Sequence, residues 1–139
     1  MKKIIIDKII KEKSIDVGEF ITICQFKKNG YYLKKNPIGG KNDFITSPEV
    51  SQMFGEMLAV FLINFWEKKF KSDFNLIELG PGRGTLLKDI LRTAKINQKF
   101  LDSTKITLVE KNKHLTQIQK KNIYFPKINW NEEFIINNK

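Results

Sequence analysis

The chain has 139 residues, of which 41% are hydrophobic, enough for one domain with a real core and too few for two. Its formal charge is +10, yet 23 of the 25 basic residues are Lys scattered among Ile, Asn and Phe, and only Arg83 and Arg92 carry the planar fork suited to phosphates and base edges, so nucleic-acid binding is not expected. No run reaches the ~20 apolar residues of a membrane helix, and the single Cys24, without metal-ligand neighbours, excludes an internal disulfide and fits a reducing compartment.

At the amino terminus Asp7 and Lys8 interrupt the apolar run Ile4-Ile5-Ile6 before a signal-peptide core can form. A start rich in Lys, containing acids and lacking Arg is a poor mitochondrial presequence, so a cytoplasmic location is expected, with the mitochondrion as the alternative. Ile at positions 5, 6, 9 and 10 predicts a helix over 3–12. Asp16 and Glu19 make a capping box that opens a helix over 17–27, with Phe20, Ile23 and Cys24 on one face. Residues 29–43 are crowded with turn formers and read as a loop, part of a lid-like stretch over 29–46. Within it Tyr31 and Tyr32 are candidates to stack on an adenine or to wall an acceptor channel. Ser47 as cap, Pro48 at the first helical position and Glu49 at the positive dipole end start a helix. Apolar spacing from Val50 to Trp66 carries it over 47–69.

Residues 75–79 predict a strand, 80–84 a glycine turn, and 85–94 an amphipathic helix with Leu86, Leu87, Ile90 and Leu91. A second strand follows over 105–109, then a helix over 111–121 with Leu115 and Ile118 inward, and one or two short strands over 123–136. Strand, helix, strand in this order form a β-α-β unit with a right-handed crossover. Two segments result: 1–72, helical with the lid-like loop and the long helix, and 73–139, a partial Rossmann-like β-α-β unit.

The stretch Glu78-Leu79-Gly80-Pro81-Gly82-Arg83-Gly84-Thr85 carries the chemistry. The dinucleotide fingerprint would need glycine where Thr85 stands, and no Gly-Lys-Ser or Gly-Lys-Thr follows, so neither an NAD site nor a Walker loop is expected. An acid at the strand end followed by Gly-x-Gly-x-Gly resembles the first motif of class I S-adenosylmethionine-dependent methyltransferases. Glycines let the backbone turn sharply and approach the methionine part of the cofactor, and the following helix aims its N–H groups at the cofactor carboxylate. In that resemblance Glu78, Gly80, Pro81, Gly82, Gly84 and Thr85 cradle the cofactor, and Glu110, at the end of the second strand, accepts from two ribose hydroxyls.

Gly30-Tyr31-Tyr32, the string from Asp43 to Glu56 containing Thr46-Ser47-Pro48-Glu49-Val50-Ser51-Gln52, the glycine motif, and Asp89-Ile90-Leu91-Arg92 occur in one order that resembles the MidA-like methyltransferase family. Its mitochondrial members act as complex I assembly factors and methylate arginine on a complex I subunit. The resemblance implies an α/β fold, the N-terminal part of a Rossmann-like class I methyltransferase preceded by a helical segment, with S-adenosylmethionine as cofactor, no metal, and a protein arginine as acceptor. Asn42 departs from the glycine usual there, which Asn tolerates best among other residues.

The family pattern continues well past residue 139, and 29 residues after Glu110 are too few for the remaining strands. The sheet is therefore expected to be incomplete, with an open apolar edge on its first strand that suits a complementing C-terminal chain. An arginine acceptor needs carboxylates to orient its guanidinium, and Glu49 and Glu56, seven residues apart on the expected helix, are the catalytic candidates. Tyr32, Ser47 and Asp43 are candidates to line the cofactor pocket, and His114 is expected to be an exposed polar residue. The competing functions are a non-catalytic cofactor-binding or assembly fragment and a basic nucleic-acid-associated module.

Overall fold

The computed structural model describes residues 1–27, 29–33, 37–40 and 42–134. These belong to two compact units, Met1–Pro37 and Ile38–Lys139. The division lies well before the boundary expected near residue 72, because the long helix makes its contacts with the helix that follows the glycine turn.

The first unit holds α1 (Lys2–Glu12), α2 (Val17–Phe26) and a 3-10 turn (Tyr31–Leu33). Helix α1 ends at Lys13, whose φ is 63°. Asp16 opens α2 by accepting from the Glu19 backbone N–H at 3.1 Å, as the capping box requires. Lys8 reaches Glu12 at 3.1 Å and Glu19 at 2.8 Å, tying the two helices. Phe26 stacks on Tyr32 with ring centroids 5.9 Å apart.

The second unit runs α3 (Ser47–Val50), α4 (Gln52–Lys69), β1 (Phe74–Leu79), α5 (Thr85–Ala94), α6 (Gln98–Ser103), β2 (Thr104–Val109), α7 (Lys113–Asn122) and β3 (Ile128–Asn131). Its sheet is parallel in the order β1-β2-β3, with Phe74 opposite Thr104, Leu79 opposite Val109 and Ile106 opposite Ile128. One core cluster joins Leu87 of α5 to Ile106, Leu108 and Ile123. The other joins Ile63 and Trp66 of α4 to Ala94 and Phe100, with Trp66 edge-on to Phe100 at 5.8 Å. Helices α4 and α5 approach so closely at Gly55 that a Cβ there would lie 2.6 Å from the Asp89 Cβ.

Three elements differ from the sequence reading. The single helix over 47–69 breaks at Ser51, which is extended at φ −152° and ψ 131° and whose hydroxyl accepts from the Met53 N–H at 3.2 Å. Apolar spacing persists across the break, but a serine offering its own oxygen to the next turn restarts the helix. Ser47 does not cap: it is the first residue of α3, whose N-cap is Thr46 without a side-chain hydrogen bond. Helix α6 was not anticipated; Asn97 caps it by accepting from the Phe100 N–H at 3.1 Å, and Phe100 anchors it in the core. The expected loop over 29–46 contains the 3-10 turn and an isolated bridge from Ile38 to Phe44, with 34–36 and 41 outside the described residues. Of the strands expected over 123–136, β3 is present, and 135–136 lie outside the described residues.

Among the described residues β1 pairs with β2 alone, and Ile77 and Leu79 on it are exposed, so the sheet is open at this edge. Met53, Met57, Phe61 and Phe65 form an exposed apolar row along α4. Among the described residues no helix is long and apolar enough to cross a membrane.

Candidate functional site

The carboxyl end of β1 runs straight into the glycine turn. The Gly80 N–H donates to the Val109 carbonyl at 2.9 Å, the last rung of the β1–β2 ladder, and the Gly84 N–H donates to the Pro81 carbonyl at 2.8 Å, closing the turn. Gly80 and Gly84 both have positive φ, +68° and +79°, where a Cβ clashes with the carbonyl oxygen. They differ in what surrounds them. A Cβ on Gly84 would meet Ile123 Cδ1 at 2.6 Å, so this glycine packs α5 against the end of α7. A Cβ on Gly80 would meet nothing within 4 Å, so this glycine leaves space open in front of the turn.

That space belongs to a cavity of about 370 Å³ walled by Glu78, Gly80, Pro81 and Gly82 on one side and by Ser47, Pro48 and Glu49 on the other, with Thr85 at the start of α5. Burial pushes the Glu78 carboxyl up from the ordinary 4.5 to about 7. Glu49 places Oε1 3.4 Å from Arg83 Nη1; its side chain is 9% exposed, and its Oε2 is buried without a hydrogen-bond partner among the described residues. Glu49, Arg83 and Thr85 also border a second space of about 700 Å³ that includes Gly84, Lys88 and Arg92.

Glu110 stands just past the end of β2. Its carboxylate accepts from the Asn112 N–H at 2.8 Å, and it borders a separate cavity of about 300 Å³ with Thr116 and Trp130. Burial raises its pKa, opposed by hydrogen bonds from the Asn112 backbone, the Gln119 side chain and the Lys111 backbone. Asn112 in turn caps α7, accepting from the His114 N–H at 2.9 Å and the Leu115 N–H at 3.3 Å.

The structure thus gathers Glu78, Gly80, Pro81, Gly82, Thr85, Ser47 and Glu49 around one cavity, with Gly84 beneath the turn. Glu56 is not among the residues walling it. The break at Ser51 takes Glu56 off the helix that carries Glu49, and its carboxylate accepts from Arg92 Nη2 at 2.8 Å, a guanidinium that also contacts Asp89 at 3.0 Å. Tyr31 and Tyr32 lie in the other compact unit, and Asp43 and His114 are exposed. Among the described residues no group of three His, Cys, Asp or Glu is placed to hold a metal ion. The sequence reading did not single out Gln119, which is completely buried on α7 and donates from Nε2 to the Gly82 carbonyl at 2.7 Å. Its signal was its spacing: Leu115, Gln119 and Ile123 fall at i, i+4 and i+8, and all three are buried.

Residues 57–136 match the family described as "Putative S-adenosyl-L-methionine-dependent methyltransferase". The chain is 44% identical over 109 residues to the mouse protein named protein arginine methyltransferase NDUFAF7, mitochondrial (Mus musculus), covering 71% of this chain and 25% of that protein. The zebrafish protein of the same name (Danio rerio) is 44% identical over 116 residues, covering 81% of this chain and 28% of its own. The chain therefore spans about a quarter of the length of these curated relatives. A solved protein from Burkholderia thailandensis bound to S-adenosyl-homocysteine shares the fold, with a TM-score of 0.73 at 20% identity over 93% of this chain and 36% of that one.

Proposed function

Because this chain belongs to the S-adenosyl-L-methionine-dependent methyltransferase family, whose model it matches over residues 57–136, we propose that it carries the cofactor half of a protein arginine N-methyltransferase. What supports it is the open space in front of Gly80, walled by two half-buried acids, Glu78 and Glu49. The residues present fit the cofactor: a cradle that one Cβ would enter, a turn of positive-φ glycines that lets backbone approach, and half-buried acids for a ligand that is cationic at its amino group and sulfur.

When bound, S-adenosylmethionine supplies a methyl group activated on a sulfonium. The chain's own residues do the rest by position and charge. Gly80, Pro81 and Gly82 shape the backbone that the methionine moiety lies along, and Thr85 at the start of α5 stands at the helix end that favours a carboxylate. Glu78 pairs with the ammonium, Glu110 accepts from the ribose hydroxyls, and Ser47 walls the opposite side. Glu49 orients the acceptor guanidinium through the oxygen that has no partner among the described residues.

The acceptor is a protein arginine, as in the names of the relatives, with a complex I subunit as the substrate that the family resemblance implies. The mitochondrial designation of those relatives supports an organellar location as the alternative to the cytoplasm. The open β1 edge and the relatives' greater length support further polypeptide, in this chain or a complementing one, as the source of the acceptor wall.

The test is residue-resolved NMR of the chain titrated with S-adenosyl-homocysteine. The reading expects the largest amide shifts at Gly80, Gly82 and Glu110; shifts confined to exposed lysines, or none, would overturn it.

A further inference from the structure

We propose that the surface along α5 is a docking track for the acceptor polypeptide, taking a segment that carries a large apolar side chain beside an acidic one about four to five residues from the methylated arginine. The inference rests on the reading of Glu49 as the residue that holds the acceptor guanidinium.

Three spaces adjoin. The cofactor cavity and the second space of about 700 Å³ share Glu49, Arg83 and Thr85 as walls. The second space in turn shares Lys88, Arg92 and Asn122 with a third, of about 320 Å³. What α5 gives to them follows helical spacing: Thr85, Lys88, Asp89 and Arg92 border the second space, and Lys88, Leu91, Arg92 and Lys95 the third. One stripe of the helix therefore serves both. From Thr85 to Lys95 it rises about 15 Å, a length that an extended peptide covers in about four to five residues.

The third space has the build of an interface, an apolar floor inside a polar rim. On the floor, Leu91 and Phe125 pack on the core cluster of Leu87 and Ile106, Leu101 packs on that of Trp66 and Phe100, and Ile123 is buried. Both cores of the unit thus hold it in shape. The rim carries Lys88, Lys95 and Tyr124, the last 87% exposed, an aromatic surface left for an occupant to cover. Arg92 is engaged by Glu56 at 2.8 Å and Asp89 at 3.0 Å, so its charge is largely met. Lys88 and Lys95 are exposed and form no ion pair among the described residues. Their charge complements an acid on the occupant, as Glu49 at the far end of the track complements its arginine.

The test uses Gly/Ser peptides with a central arginine and a Glu-Phe pair about four to five residues from it on either side, titrated into the full chain and followed by NMR. Amide shifts are expected at Lys88, Lys95 and Tyr124 together with Glu49 and Arg83. Exchanging Phe for Ser in the probe should weaken binding by at least about 10-fold, since an aromatic side chain no longer leaves water. Exchanging Glu for Lys should weaken it by about 3-fold to 10-fold, an effect that shrinks with salt. The double variant Lys88→Glu/Lys95→Glu, changed only at exposed positions, should reverse that preference and take the Lys-Phe probe more tightly. Tyr124→Ala should weaken the Phe probe and leave the Ser probe unchanged.

Equal affinity for the Glu-Phe, Glu-Ser and Lys-Phe probes, or shifts that leave Lys95 and Tyr124 unmoved, would overturn the proposal. A probe that binds as well with Gln in place of its arginine would overturn it too, because the track would then not serve the acceptor. Dimerisation of the chain that Tyr124→Ala abolishes would also overturn it, placing a second copy in the third space. Should the double variant fail to fold, the wild-type probe series decides alone. A chain that fails to bind S-adenosyl-homocysteine, yet keeps both the flank preference and the need for arginine, would overturn the cofactor reading and not the docking track.

Discussion

Glu49 gives one carboxylate oxygen to Arg83, with Oε1 3.4 Å from Nη1, and keeps the other buried without a partner among the described residues. A carboxylate so buried is costly unless its lone pairs are met, and a single long contact to a half-exposed guanidinium meets only part of the need. We propose that the acceptor guanidinium supplies the second cation, at Oε2.

Glu49→Gln removes the charge and keeps the shape. Affinity for S-adenosyl-homocysteine should stay within about 3-fold, whereas affinity for an arginine-containing acceptor peptide should fall by at least about 10-fold, the loss of roughly one charge-assisted hydrogen bond. Calorimetry reads the first and peptide-induced NMR shifts the second. Equal losses in both would assign Glu49 to the cofactor instead of the acceptor.

Gly80 and Gly84 should separate binding from folding. Gly80→Ala places its methyl in open space, so its stability cost is the left-handed backbone alone, about 1–2 kcal/mol, while S-adenosyl-homocysteine binding should weaken by more than about 10-fold. Gly84→Ala adds to the same strain a collision with Ile123, for a further ~1–3 kcal/mol. Urea denaturation and ligand titration on the two variants give the comparison.

Glu78 makes stability depend on pH, and binding is expected to depend on it in the opposite sense. Its folded pKa, about 7, lies above the ordinary 4.5, so the folded chain holds the proton more tightly than the unfolded one. The associated stability is present in full below about pH 4.5 and is lost as pH rises through about 7. The stability of wild type relative to Glu78→Gln should therefore decline between pH 5 and 8, as read by urea titrations. An ionised Glu78 pairing with an ammonium should also tighten S-adenosyl-homocysteine binding over the same range with release of a proton, a trend absent in Glu78→Gln.

Phe100 is the anchor of the helix that precedes β2, 1% exposed and packed against both Trp66 and Phe74. Phe100→Ala should cost about 3–5 kcal/mol, since the surrounding rings cannot collapse into the space. Thermal unfolding followed by the near-ultraviolet signal of Trp66 would register it.

The strand, glycine turn and helix over 74–94 were legible because their signals are local: an apolar run, three alternate glycines, and Leu86, Leu87, Ile90 and Leu91 at helical spacing. The break at Ser51 was not legible, since apolar residues recur at helical spacing on both sides of it and the decision falls to one hydroxyl accepting from Met53. The partner of Glu56 is hidden for the same reason: once the helix restarts, its carboxylate meets Arg92, 36 residues away in sequence. Helix α6 is too short for periodicity to reveal, and its one anchor, Phe100, reads equally well as loop or strand. Gln119 escaped notice because a polar residue on an inward stripe is ordinarily counted as a surface position; its importance lies in a tertiary contact to Gly82.

We propose that the turn from Glu78 to Thr85 holds S-adenosylmethionine, and calorimetric titration of the chain with that cofactor is the decisive experiment. Saturable one-to-one binding is expected, and it should disappear in Gly82→Val, where a branched side chain at φ +57° with its Cβ 3.0 Å from Ile38 Cδ1 distorts the turn while circular dichroism still reports a folded chain. A folded wild-type chain that gives no binding heat at any temperature tried, or a Gly82→Val chain that binds as tightly as the wild type, would contradict it.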